Sequence, residues 1–173
     1  TTDVEGNATL PWTATGIPPG DYVLRMEVQD DVSSAKIAGA TRHFGNFTMI
    51  NVTVQVPSNI RVDSIPTQIT AGVNFQVIGA VEDGDNASRP LSTPVKLEMF
   101  WLDNQEEKLV NGVFTQTNGS FNMSVPTDVL NNGTKRGPRT LIITVVEGSS
   151  PFYLTDTSNH SIQVMEVSNF ESL

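Results

Sequence analysis

An all-β fold is predicted by three features of the sequence. Only 17% of the 173 residues are charged, while Thr, Ser, Asn, Gly and Val are abundant, a composition that suits strands and polar turns better than long helices. Apolar and polar residues alternate with period two in short segments, as in strands with one face buried. Gly and Pro collect between those segments, at 17–20, 84–90, 131–138 and 148–151, where turns require them.

Taken in order, the predicted strands are 22–28, 48–56, 60–65, 75–81, 95–102, 120–125, 140–146 and 161–167. In the first, Tyr22, Leu24, Met26 and Val28 alternate with Val23, Arg25 and Glu27, so one side is apolar. Phe47, Met49, Asn51 and Thr53 or their alternates line the neighbouring strand. The segment 33–41 is mildly helix-tolerant and is read as loop with at most one turn of helix. With 38% hydrophobic residues, the chain can bury one ordinary core or two smaller ones.

The first 56 residues read like the second half of the segment 57–168. Residues 2–10 match 115–121, a Gly-containing turn entering a strand; 19–28 match 136–145, a Gly turn followed by a long alternating strand; 46–54 match 159–167. Three features in one order point to a repeated unit. The run 66–167 then resembles the immunoglobulin-like repeats of large bacterial and archaeal surface proteins, of surface-layer and adhesin type. The residues that carry the resemblance are the strand 73–82 with its acidic turn, Pro90-Leu91, Val95-Lys96-Leu97 and the Thr-X-X-Gly-Ser-Phe element of Thr115 to Phe121. The Gly turn, the Thr-Leu strand and the closing Val-rich strand complete it.

That resemblance implies tandem immunoglobulin-like antiparallel β-sandwiches. Residues 1–56 form the C-terminal half of one domain, 57–168 a complete domain and 169–173 a tail. Three strands alone would leave an apolar face in water, so a neighbouring chain or other residues of the same protein are expected to cover the first unit. Pro57-Ser58-Asn59 is the expected junction, and so short a Pro-containing linker favours a stiff, rod-like array.

Charge and composition narrow the function. A net charge of -9 with no basic run argues against nucleic acid and anionic membrane surfaces as partners. Cysteine is absent, which removes disulfides and thiolate metal sites. No apolar stretch reaches membrane-spanning length. Sequons stand at Asn7, Asn46, Asn51, Asn86, Asn118, Asn122, Asn132 and Asn159, and point to N-linked glycans and an extracellular, cell-surface location. Asn and Thr are also ordinary turn and strand residues.

No catalytic constellation is present. His43 and His160 have no Ser, Asp or Glu at a recognised catalytic spacing and read as surface residues; no Gly-X-Ser-X-Gly elbow occurs. Glu82-Asp83-Gly84-Asp85-Asn86 offers closely spaced oxygen ligands around a glycine, which calcium requires, so Glu82, Asp83 and Asp85 are candidate calcium ligands. The simpler reading is an acidic, solvent-exposed hairpin turn. Asp30-Asp31 is a weaker copy. Trp101 is expected in the core, and Trp12 exposed. Phe44, Phe47, Phe114, Phe121 and Phe152 are read as core or interface residues. The expected function is non-catalytic: a spacer, lattice or adhesion module whose partners are neighbouring domains or subunits. The alternative is a carbohydrate-binding or accessory module of a secreted enzyme, for which an exposed aromatic platform at Trp12 would speak.

Overall fold

The computed structural model describes residues 11–28, 46–103, 106–127 and 136–165. Asn7, His43, Phe44, Asn132, Asp30-Asp31, the segment 33–41 and the tail 169–173 lie outside the described residues. The chain divides into two compact units, Thr1–Val54 and Gln55–Leu173. All regular structure among the described residues is β.

In the first unit, β1 (Gly20–Val28) pairs antiparallel with β2 (Asn46–Val54), Gly20 opposite Val54 and Leu24 opposite Ile50. Directly opposed residues share a side, so Tyr22, Leu24 and Met26 lie with Val52, Ile50 and Thr48. The reverse side carries Asp21, Val23, Arg25 and Glu27 with Thr53, Asn51, Met49 and Phe47. It is tied by Thr53 Oγ1 donating to Asp21 Oδ1 at 2.7 Å, by the Arg25–Glu27 ion pair at 3.2 Å and by the Arg25 guanidinium 4.6 Å over the Phe47 ring.

The second unit is a β-sandwich. One sheet has three strands in the order β3 (Ser58–Ser64), β5 (Phe75–Asp83), β8 (Ser120–Val125). The other has five, β4 (Gln68–Thr70), β10 (Thr157–Met165), β9 (Gly137–Val145), β6 (Lys96–Asp103) and β7 (Glu106–Phe114). After β3 the chain passes Ile65 and Pro66, which has no N–H for a ladder. It then changes sheets, and β4 runs parallel to β10. Val77, Val81, Phe121, Met123 and Val125 from the small sheet meet Leu97, Met99, Trp101, Leu141, Ile143, Val145, Ile162 and Val164 from the large one in a single core. Trp101 lies at its centre with no exposure, its ring centroid 6.1 Å from that of Phe75 and its Nε1 donating to Pro126 O at 3.3 Å.

Two glycines are fixed by their surroundings. At Gly119, φ is +84° and a Cβ would stand 2.2 Å from Val81 O, so only glycine fits the turn into β8. At Gly79, directly opposite Phe121, a Cβ would stand 2.7 Å from the Phe121 ring; the ring covers the bare backbone.

Three expectations are corrected. The strands β4 and β7 lie outside the segments whose alternation predicts strands. Pro57-Ser58-Asn59 is not a junction but part of the second unit: Val56 N donates to Phe152 O and Leu154 N to Val56 O, both at 3.0 Å, Ser58 Oγ donates to Leu154 O at 2.6 Å, and β3 already starts at Ser58. Of the phenylalanines read as core or interface residues, Phe121 is buried and Phe152 packs against the core, while Phe47 and Phe114 are 53% and 61% exposed. Finally, the repeat is offset. With Gly20 set on Gly137, Leu24 falls on Leu141; since Leu24 faces Ile50 and Leu141 faces His160, Ile50 corresponds to His160 and Val52 to Ile162. The alignment of 46–54 with 159–167 is therefore displaced by three residues, and an odd displacement exchanges the two faces of a strand.

Candidate functional site

The acidic turn follows directly from β5. Asp83 closes that strand with its carboxylate completely buried: Oδ1 accepts the backbone N–H groups of Asp85 and Asn86, both at 3.0 Å, and Oδ2 pairs with Arg89 Nη1 at 3.0 Å. Gly84 N donates to Pro57 O at 2.8 Å. Glu82 points elsewhere, to Arg61 Nε at 2.5 Å, and Asp85 is exposed. The three candidate calcium ligands thus do not converge, and no group of three or more His, Cys, Asp or Glu that could hold a metal ion is found among the described residues. The positive charge beside Asp83 comes from Arg89.

Next to this turn, residues 147–156 are stapled to their neighbours. The Tyr153 hydroxyl accepts the Ser92 N–H at 2.8 Å, Ser150 Oγ shares a hydrogen bond with Thr93 Oγ1 at 2.8 Å, and Asp156 Oδ2 accepts the Ile60 N–H at 2.7 Å. A cleft of about 510 Å³ opens here, lined by Gln55, Glu147, Ser150, Tyr153 and Leu154. The Tyr153 and Ser150 hydroxyls already serve the loop, and Glu147 is the one carboxylate in the lining.

His160 lies on β10 opposite Leu141, half-buried, with Nε2 2.9 Å from Ser158 Oγ. Burial holds its pKa below the ordinary value of 6.5, because the imidazolium loses hydration there. It has a structural place rather than the surface one expected. Trp12 is 47% exposed, and the one aromatic ring pair among the described residues is Phe75–Trp101, inside the core. An aromatic platform around Trp12 is not formed by those residues.

The sequons divide into two kinds. All six described sequon asparagines, Asn46, Asn51, Asn86, Asn118, Asn122 and Asn159, are exposed. Asn86 and Asn118 organise turns: Asn86 Oδ1 accepts the Ser88 N–H at 3.1 Å, and Asn118 Oδ1 accepts the Ser120 N–H at 3.0 Å and its hydroxyl at 2.8 Å. Asn46, Asn51, Asn122 and Asn159 instead lie on strands. No helix among the described residues is long and apolar enough to cross a membrane.

No protein-family profile matches the chain, and no curated protein sequence matches it. Among solved structures it is weakly similar to fibronectin(III)-like modules of CbhA from Clostridium thermocellum, with 10% identity over 91% of this chain and 68% of that one and a TM-score of 0.40. A β-glucosidase from Listeria innocua in complex with isofagomine gives 11% identity and a TM-score of 0.42 over 66% of this chain. The match spans only 17% of that enzyme. A superoxide reductase from Ignicoccus hospitalis gives 12% identity and a TM-score of 0.37, covering 63% of this chain and 80% of that one.

Proposed function

We propose that the chain is a non-catalytic spacer or interaction module of an extracellular, N-glycosylated surface protein, built from immunoglobulin-like sandwiches in tandem. The first unit belongs to the C-terminal half of one such sandwich. The observation that carries this reading is the correspondence of two hairpins. Both β1 and β9 begin on a glycine with positive φ, Gly20 and Gly137, and both pair antiparallel with the next described strand. Leu24 and Met26 then fall on Leu141 and Ile143, and Ile50 and Val52 on His160 and Ile162. In the second unit Leu141, Ile143 and Ile162 have no exposure, whereas of their counterparts Met26 is 39% exposed and Leu24 and Val52 are partly exposed.

A side fully packed in one copy and only partly covered in the other is a sandwich face awaiting its second sheet. The cover expected is a three-stranded sheet like β3–β5–β8, supplied by a neighbouring subunit or by residues of the same protein outside those described. Six exposed sequons and a net charge of -9 support an extracellular surface setting. The rival reading, a carbohydrate-binding accessory module, rests on the exposure of Trp12 alone. Intact-mass measurement and glycopeptide mapping of protein isolated from its native source test the extracellular part. Hexose-containing adducts on the sequon peptides are expected; unmodified peptides at all eight asparagines would overturn it.

A further inference from the structure

The strand-borne sequons share a neighbour that their sequence does not reveal. Asn51 on β2 lies directly opposite Val23, Asn122 on β8 opposite Ile78, and Asn159 on β10 opposite Ile142. Each of these aliphatics stands alone on its stretch of strand. The side of β1 that carries Val23 otherwise presents Asp21, Arg25 and Glu27. The outward positions of β5 are Gln76, Ile78, Ala80 and Glu82, and those of β9 are Pro138, Thr140, Ile142 and Thr144. In all three strands the one branched aliphatic on that side faces the one sequon asparagine across the ladder.

Exposure makes the pairing consequential. Val23 is 59% and Ile78 42% exposed. Ile142 is covered by its own sheet, but Phe100 lies opposite it and Leu109, 57% exposed, opposite Phe100. The row Asn159–Ile142–Phe100–Leu109 therefore crosses four strands, but Ile142 is only 8% exposed, so the direct neighbour of Asn159 is already covered. Asparagine is disfavoured in mid-strand, and Asn51, Asn122 and Asn159, unlike Asn86 and Asn118, organise no turn. Side chains directly opposed across an antiparallel ladder have Cβ atoms roughly 4.5–5.5 Å apart, a gap that the first sugar of an N-linked chain bridges.

We propose that Asn51 and Asn122 carry N-linked glycans whose first sugar rings lie over Val23 and Ile78. The apolar C–H face of the carbohydrate covers the aliphatic positions that the solvent faces leave open. This rests on the glycoprotein reading above. It goes further in separating two classes of sequon, the strand sites Asn51 and Asn122 where the sugar is a packing element and the turn sites Asn86 and Asn118 where it is not.

The test uses the full 173-residue chain secreted from a host that attaches N-glycans, as wild type, Ile78→Thr, Ser124→Ala and the double variant. Ser124→Ala removes the sequon but keeps Asn122, and Ile78→Thr keeps the branched shape at an exposed position. Glycopeptide mapping reads occupancy, and thermal melting with binding of an apolar fluorescent dye reads coverage. Loss of the Asn122 sugar is expected to lower Tm by about 3 °C and to raise dye binding. Both effects should shrink by at least half when position 78 is Thr, since contacting groups are non-additive. Equal effects in both backgrounds, with Asn122 occupied, would overturn the covering role and leave the glycoprotein reading standing. The same holds for sugars found at Asn86 and Asn118 but at neither Asn51 nor Asn122. Sugars at no site would remove both.

Discussion

Asp83 anchors the acidic turn. Its carboxylate is buried, accepts two backbone N–H groups and pairs with Arg89, whose side chain is 20% exposed. Replacing Arg89 by Ala leaves a buried carboxylate short of a charged partner and is expected to cost about 1.5–3 kcal/mol. Asp83→Asn, which sets an amide where the guanidinium needs an acceptor, should cost a similar amount. Chelation should leave Tm unchanged in the wild type. A Tm that falls on chelation, and no longer does so in Asp85→Ala, would assign a bound cation to this turn. The composition of the turn was legible in the sequence; the identity of its counter-charge was not. Arg89 lies six residues on, beyond the chain reversal that brings it back.

His160 gives the second unit a pH dependence of defined sign. Its folded-state pKa is lowered by burial from the ordinary value of 6.5, so at mildly acidic pH the unfolded chain binds the extra proton more readily than the folded one. The stability it contributes is complete above pH 6.5 and is lost as pH falls below that value through the folded-state pKa. Melting at pH 7.5 and pH 5.0 should therefore show a larger loss in the wild type than in His160→Gln. Equal losses would show that His160 does not titrate differently on folding.

At the scale of elements, alternation located the strands whose inward residues are strictly two apart. Leu97, Met99 and Trp101 on β6 and Phe121, Met123 and Val125 on β8 are all buried in the core, and both strands were expected nearly as they are. The strand β7 shows no regular alternation because a bulge breaks its period: Met99 faces Asn111 but Phe100 faces Leu109, so Val110 is the extra residue. Val110 and Val113 consequently both pack on the core although they are three apart. β4 is three residues long, too short for any periodicity to register. The offset in the repeat has the same kind of origin. Glycine turns fix where β1 and β9 begin, whereas nothing in the sequences of β2 and β10 reports which residue lies opposite Leu24 or Leu141.

The sequons behave likewise. Their exposure was legible in the sequence, since an asparagine among turn residues or alternating with apolar ones points outward. Their cross-strand partners were not, because Ile78 and Asn122 are 44 residues apart in sequence and meet only through the ladder.

On the scale of the whole molecule, the two units differ in how far each satisfies its own apolar surface. The second encloses a core between two sheets. The first, among the described residues, is a single two-stranded sheet with Tyr22, Leu24, Met26, Ile50 and Val52 on one side, and isolated hairpins are marginal in water. Burying a large apolar side chain contributes roughly 1.5–3 kcal/mol, so covering this side would stabilise the unit by several times that amount. Amide hydrogen exchange on the monomeric 173-residue chain, compared with the parent protein, tests this most directly. In the isolated chain β1 and β2 should exchange orders of magnitude faster than β9 and β10, and in the parent protein all four strands should be protected alike. Equal protection of the two hairpins in the monomeric chain alone would contradict the half-sandwich assignment.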